Sequence, residues 1–149
     1  MPSSAGQYFS HQPLGAHMID SQFSWFDLKT ESPLATWQAH CREGRLAYQA
    51  TASGRAVFHP RVVAPGSGEP LQWRISTGLG TVYATTVVRP RDAEPYNVAL
   101  VDLDEGFRMM SRVEGIAAQD VTIGLRVCAR MVEESDGVTR PVFEPMAAL

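Results

Sequence analysis

The spacing of apolar positions changes once along the chain, from a helical period to the period of β-strands. After Ser32-Pro33, which suits a helix start, Leu34, Trp37 and Cys41 recur at helical spacing with polar residues between them. Gly44 then supplies a left-handed stop. We therefore predict a short amphipathic helix between these two signals. Its apolar stripe is expected to pack on its own domain, with a partner protein as the alternative.

Beyond Gly78 the sequence is typical of strands. Residues 81–88 are rich in β-branched residues, residues 96–103 are apolar on both faces, as expected of a central strand, and residues 126–133 alternate cleanly. Asp136-Gly137 is a hairpin signal between the last two apolar runs. Residues 116–124 have room for one short helical turn. The pattern predicts five strands, at residues 81–88, 96–103, 107–113, 126–133 and 138–143. Five strands with an insert after the third are typical of an OB-type Greek-key barrel, although the pattern alone permits another small barrel.

The first 31 residues carry two kinds of sequence. As far as His17 they are rich in Ser, Gly, Gln, His and Pro, which is typical of a mobile arm. A dense apolar patch follows, made of Met18, Ile19, Phe23, Trp25, Phe26 and Leu28. Two interpretations stay open. The patch is either a strand or turn that covers part of the core, or an arm that docks on a partner or on a second copy of the chain.

Two turns of small residues lie between the predicted helix and the predicted barrel. Ala50-Thr51-Ala52-Ser53-Gly54 and Ala64-Pro65-Gly66-Ser67-Gly68 each have the shape of a C-x-x-C-G zinc knuckle, and ten residues lie between Ser53 and Ala64. Alanine and serine fill the ligand-equivalent positions, so we expect neither zinc nor another metal here. These four positions are Ala50, Ser53, Ala64 and Ser67.

Packing must then replace a metal that contributes on the order of 10 kcal/mol of folding free energy in small modules. Short hairpin strands are expected near residues 55–58 and 71–75. The side chains available for packing are those of Tyr48, Val57, Phe58, Val62 and Trp73. The chain thus divides into a partly disordered N-terminal arm (residues 1–31), a helix with a ribbon-like segment (residues 32–76) and a barrel (residues 77–145).

Composition narrows the function classes. A chain of 149 residues is one domain, or one domain with a small appendage. With a net charge of −3 and a pI near 5.8, it has no basic field for nucleic acid. No apolar run is long enough to span a bilayer, and the N-terminus lacks the regions of a signal peptide. We therefore expect a cytoplasmic protein with no membrane or nucleic-acid partner. Cys41 and Cys128 are expected to be free thiols.

No set of side chains in the sequence indicates a stand-alone active site. None of the four histidines has an Asp or Glu at a spacing that suggests a catalytic dyad. Asp102, Asp104 and Glu105 cluster around one turn, where carboxylates ordinarily bond to the backbone and face water. The strand aromatics Tyr83 and Phe107 are interpreted as core residues. We therefore assign no catalytic residue and expect a protein that is not an enzyme by itself.

An ordered set of short segments resembles one known family, the acyl-CoA-associated proteins labelled domain of unknown function 35 (DUF35), in which a zinc ribbon precedes an OB-fold. The likeness covers roughly residues 33–145 and departs from the family in the missing cysteine quartet. It rests on residues 37–46, Phe58-His59-Pro60-Arg61, Gly80-Thr81-Val82-Tyr83, residues 96–106, Ile123-Gly124, Asp136-Gly137 and residues 141–145.

The resemblance implies a mainly β protein, with a five-stranded OB barrel behind a short helix and a degenerate, metal-free ribbon. It also implies a non-catalytic accessory subunit of a thiolase-like or related acyl-CoA enzyme, which helps to form the acyl-CoA channel. No bound cofactor is expected beyond a shared CoA or acyl-CoA ligand. Arg61 and Arg89 are the candidates for contacts with CoA phosphate or with the partner. The alternative is a free-standing homodimeric OB module that binds an acyl or CoA-type ligand.

Overall fold

The computed structural model describes residues 31–147, and the chain from Pro33 onward forms one compact unit. The predicted N-terminal arm lies almost entirely outside the described residues, and so does its apolar patch between Met18 and Leu28. Both interpretations of that patch therefore stay predictions.

The predicted helix is present as α1 (Pro33–Arg42) and ends before Gly44, whose φ of +80° supplies the left-handed turn. Cys41 is fully buried, and the Trp37 indole N–H donates to the Ala47 carbonyl at 3.0 Å. These contacts fasten α1 to its own domain, as expected. Leu34 departs from the expectation, because it stays about half exposed at the start of the stripe.

A small three-stranded sheet follows the helix, with antiparallel strands in the order β2-β1-β3. Its strands are β1 (Ala47–Ala50), β2 (Ala56–Val57) and β3 (Gln72–Ile75). The predictions near residues 55–58 and 71–75 are confirmed in shortened form. The central strand β1 was not predicted, because all four of its residues are buried and it therefore shows no alternation of apolar and polar positions.

The second sheet is the predicted barrel. Five antiparallel strands run in the order β6-β5-β4-β7-β8, with a 3-10 turn at Ala118–Asp120 in the predicted insert. The strands are β4 (Leu79–Val88), β5 (Tyr96–Leu103), β6 (Arg108–Ser111), β7 (Arg126–Glu133) and β8 (Thr139–Pro145). A parallel bridge between Val113 and Phe143 joins the two ends of the sheet. The mainly β, OB-type prediction is confirmed by this topology.

The two edges, β6 and β8, meet at a seam with little backbone pairing. Beside the Val113–Phe143 bridge, the Ser111 hydroxyl donates to the Pro141 carbonyl at 2.8 Å. Pro141 has no backbone N–H to offer, which is the usual reason that proline is accepted at a strand edge. The curled sheet is therefore closed partly by a side chain.

One apolar core runs from the small sheet into the barrel, and aromatic rings connect them. The rings of Tyr48 and Phe58 both stack on that of Phe107, each at 5.0 Å between centroids. Trp37 meets Phe58 edge to face at 6.0 Å. These aromatic contacts supply packing of the kind that the sequence analysis expected in place of a metal. Val62 takes no part, since it is 78% exposed, and the expectation that it packs inward is wrong.

A buried amide fixes the loop that leaves β2. Gln49 is buried in β1, and its side-chain N–H donates to the Arg61 carbonyl at 2.8 Å. The Arg61 backbone N–H donates in return to the Gln49 side-chain oxygen at 2.7 Å. The side chain thus pairs with the loop as a neighbouring strand would, which satisfies both ends of a buried polar group.

Candidate functional site

The carboxylates that cluster around the β5–β6 turn do not converge on one site. Asp102 binds Arg108, and Asp104 accepts both arms of the Arg126 guanidinium at 2.8 and 2.9 Å. The hydrogen bond from Arg126 holds the pKa of Asp104 below its ordinary value. Asp102 and Asp104 thus bind arginine side chains rather than the backbone of their turn, which differs from the expectation, and each has a partner of its own.

Glu105 has a different task from its neighbours. It accepts hydrogen bonds from the Ser76 hydroxyl at 2.6 Å and from the backbone N–H and hydroxyl of Thr77 at 2.9 and 3.0 Å. Burial alone would raise the pKa of Glu105, but these hydrogen bonds outweigh it and leave that pKa below its ordinary value. Glu105 therefore fastens the junction between the small sheet and the barrel.

Tyr83 is misassigned by the sequence analysis. It is 51% exposed, and the Arg108 guanidinium carbon lies 3.4 Å from the centre of its ring. The register between β4 and β5 shifts between Val82 and Ala84, so Tyr83 is the extra residue of a β-bulge and turns outward. Phe107 is buried in the core as expected.

The two arginines proposed as phosphate contacts are both exposed, and neither takes part in an ion pair within residues 31–147. Arg61 lies in the loop whose backbone is bonded by the Gln49 side chain. Arg89 lies directly after the end of β4. Among residues 31–147, no hydrogen bond or ion pair joins their side chains. Their roles stay predictions.

The zinc-ligand-equivalent positions fall into two pairs. Ala50 and Ala64 are buried, whereas Ser53 and Ser67 are exposed. The Ser53 hydroxyl is hydrogen-bonded to the Thr51 hydroxyl at 3.0 Å, and the Ser67 hydroxyl donates to the Glu69 carboxylate at 2.9 Å. Within the described part of the chain, no group of three or more His, Cys, Asp or Glu residues is placed to hold a metal. The four positions therefore carry small side chains that pack or bond locally.

A groove of about 470 Å³ lies along β5 and β6, and we call it the β5–β6 groove. Helix α1 and the residues around the β7–β8 turn form its other sides. Its lining includes Leu34, Trp37, Tyr96, Val98, Met110, Val138 and Pro141. OB-folds bind their ligands on the face of the second and third strands, beside the loop between the fourth and fifth. The groove occupies that face, since β5 and β6 are the second and third strands of this barrel.

The sequence analysis did not find this groove. It noted that residues 96–103 are apolar on both faces and attributed this to a central strand. In the structure Asn97 and the alternate residues after it point inward, so Tyr96 and Val98 lie on the outer face. An apolar outer face on this strand was the available signal.

Charged residues at the border of the groove are paired with one another. The Arg112 guanidinium donates to Glu134 at 2.7 Å and also binds Glu114, and Arg140 donates to Asp136 at 2.8 Å. The hydrogen bond to Glu134 is the main cause that raises the pKa of Arg112. The groove therefore has an apolar floor and a border on which these cations already hold carboxylates.

Comparisons with known proteins agree with this geometry. The model of the ChsH2 C-terminal OB-fold domain matches residues 73–132. A probable enoyl-CoA hydratase alpha subunit from Thermomonospora curvata is 33% identical over 121 residues, which are 74% of this chain and 37% of that protein. A DUF35 domain-containing scaffold protein from Methanocaldococcus jannaschii is 37% identical over 68 residues, which are 40% of this chain and 48% of that protein.

The likeness to a solved structure extends further. A chain of the Ltp2-ChsH2(DUF35) aldolase is 30% identical with a TM-score of 0.68, and the match covers 77% of this chain and 95% of that chain. By contrast, the chain spans only about a third to a half of the length of those two curated relatives. Within residues 31–147, no helix is long and apolar enough to cross a lipid bilayer. The chain belongs to the DUF35 family of OB-fold proteins.

Proposed function

We propose that this chain is a partner subunit of an acyl-CoA enzyme and supplies part of the complex and of its acyl-CoA channel. The observation that carries the proposal is the match to nearly the whole DUF35 chain of the Ltp2-ChsH2(DUF35) aldolase. The relatives named as a hydratase subunit and as a scaffold protein support the same class of role. The partner that we propose is a thiolase-like enzyme.

The described residues support a role in binding rather than in catalysis. The turn carboxylates are each engaged by arginine, serine or threonine partners within the fold, so these contacts account for them as structural groups. A long, flexible acyl-CoA loses much conformational freedom when it is held for reaction. A rigid subunit that lines part of the channel lowers the barrier by restricting that freedom in advance.

Arg61 and Arg89 are the residues that we propose for contacts with CoA phosphate or with the partner. Both guanidinium groups are exposed and free of ion pairs within the described residues, and the planar guanidinium donates hydrogen bonds to phosphate in pairs. Gln49 fixes the backbone of Arg61, so this side chain leaves from a defined position.

Co-purification tests the proposed function. The tagged chain is recovered from lysate of its own host, and the accompanying proteins are identified by mass and by their ratio to the chain. An acyl-CoA enzyme in near-equal amount is the expected result, and recovery of the chain alone as a homodimer would support a free-standing module instead.

The arginine assignment needs its own comparison within that complex. Arg61→Ala and Arg89→Ala are expected to raise the Kd for free CoA or for the partner. Arg55→Ala, a change at another exposed arginine of the ribbon-like segment, is the matched control. Equal Kd values for all three variants would show that neither Arg61 nor Arg89 contacts phosphate or partner.

A further inference from the structure

The β5–β6 groove gathers apolar side chains that the other residues of the described range, 31–147, leave uncovered. Met110 is 70% exposed, and Leu34 and Tyr96 are each about half exposed on its walls. They come from β6, α1 and β5, so three separate elements place apolar side chains around one depression. Methionine and tyrosine are enriched at protein interfaces, where methionine also adapts to the shape of a partner.

The charged residues at the border of the groove indicate what kind of surface can bind in it. Arg112 and Arg140 are held by Glu134 and Asp136, so no unpaired cation at these positions calls for a phosphate or carboxylate. An apolar centre inside a polar border is the anatomy of a protein interface. The charge pattern is therefore complementary to an apolar and uncharged surface.

The shape of the groove argues against a small ligand. It is open to solvent along one side, whereas pockets for small molecules bury most of the surface of their ligand. A polypeptide can cover such a groove and exclude water from its centre, which is the arrangement in which a few contacts dominate affinity.

We infer that the β5–β6 groove receives an apolar, uncharged polypeptide segment of the partner enzyme. This inference rests on the proposed function, because it names the face on which that enzyme docks. It also separates two tasks within the chain. The groove holds the partner, and Arg61 and Arg89, which do not line it, keep the proposed contacts with CoA phosphate or with another part of the partner.

The test uses charge placed at matched exposed positions. Met110→Asp and Leu34→Asp put a carboxylate into the groove, and Ile123→Asp puts one at a residue that is 71% exposed and does not line it. Each full-length variant is titrated with the enzyme subunit recovered by co-purification. We expect Kd to rise at least about tenfold for the groove variants and to stay within about twofold for Ile123→Asp.

Unfolding curves of the variants test whether Kd rises only because a variant destabilises the fold. Because Met110 is mostly exposed, Met110→Asp is expected to unfold at the same denaturant concentration as Ile123→Asp, and it carries the conclusion if Leu34→Asp weakens the helix. An unchanged Kd for Met110→Asp would overturn the inference and leave the proposed function standing. Recovery of no enzyme by the wild-type chain would overturn both.

Two further results would assign the groove to another occupant and so overturn the inference. One is a wild-type homodimer that Met110→Asp dissociates in sedimentation experiments, which would place a second copy in the groove. The other is saturable binding of octanoyl-CoA to the isolated chain that Met110→Asp removes, which would place an acyl thioester there.

Discussion

The small sheet and the barrel reach stability by different means within one core. The barrel relies on long antiparallel ladders, with seven residue pairs between β7 and β8 alone. The small sheet has two pairs between β1 and β2 and four between β1 and β3. Its remaining order comes from aromatic stacking on Phe107, from the Gln49 amide and from the Glu105 latch at the junction. A small sheet with short ladders can therefore be held by the domain beside it.

The largest effect is expected where the two regions share a side chain. Phe107→Ala removes the ring on which both Tyr48 and Phe58 stack, and it should lower the free energy of unfolding by about 3–5 kcal/mol. Urea unfolding followed by tryptophan fluorescence measures this, since Trp37 packs against Phe58. Tyr83→Ala, a truncation of an exposed aromatic residue, is the control and should cost less than about 1 kcal/mol. Similar losses for both variants would show that the stack does not support the small sheet.

The next largest effect is expected in the loop that Gln49 holds, while the barrel stays unaffected. Gln49→Ala removes both side-chain hydrogen bonds to Arg61 and should lower the free energy of unfolding by about 1–3 kcal/mol. Hydrogen exchange should speed up at the Arg61 amide while the amides of β7 keep their protection. Gln72→Ala, at an exposed glutamine of β3, is the comparison. An unchanged exchange rate at Arg61 would contradict the role assigned to Gln49.

Glu105 is expected to make the free energy of unfolding depend on pH through the junction between the small sheet and the barrel. Its folded-state pKa lies below the ordinary value of 4.5, so its stabilising effect is complete above that value and is lost as the pH falls through the lower folded pKa. Glu105→Gln should lower the free energy of unfolding by about 1–2 kcal/mol near neutral pH, because two strong acceptors become one.

The difference between wild type and Glu105→Gln, measured by urea unfolding over a series of pH values, should therefore shrink as the pH falls. A difference that stays constant from neutral to acid pH would show that the ionised carboxylate is not what fastens Ser76 and Thr77.

The smallest effect concerns metal. A chelator should leave the thermal midpoint of the wild-type chain unchanged, because the four ligand-equivalent positions carry no thiolate. The informative comparison introduces cysteine at Ala50, Ser53, Ala64 and Ser67 together, which should make the midpoint depend on zinc if the four positions form the two zinc knuckles that the sequence suggests. Stoichiometric zinc in the purified wild-type protein would contradict the interpretation of these positions.

Local pattern predicted the elements whose alternation is undisturbed. β5 and β7 have the bounds that the sequence indicated: buried positions alternate along β5, and apolar and arginine positions alternate in the sequence of β7. β1 was missed because burial on both faces removes that alternation and places Gln49 among apolar neighbours. Tyr83 was misplaced because a single-residue bulge turns it outward, and a bulge leaves no mark in the spacing of apolar residues.

The candidate site was harder to predict for a different reason. Leu34, Tyr96, Met110 and Val138 are far apart in the chain, and only the wrapping of the sheet and the position of α1 bring them to one groove. The family could be recognised from ordered short segments, because the glycine and proline turns that they contain fix local geometry. A surface assembled from four elements has no such local signature.

The seam between β6 and β8 affects the tendency of the protein to aggregate at high concentration. An open sheet edge is a template on which another chain can add a strand. At this edge Pro141 offers no donor, and its carbonyl already accepts the Ser111 hydroxyl. A strand that approaches there finds no backbone donor at Pro141 and a carbonyl that is already engaged, so the same contact that helps to close the barrel disfavours strand addition at this point.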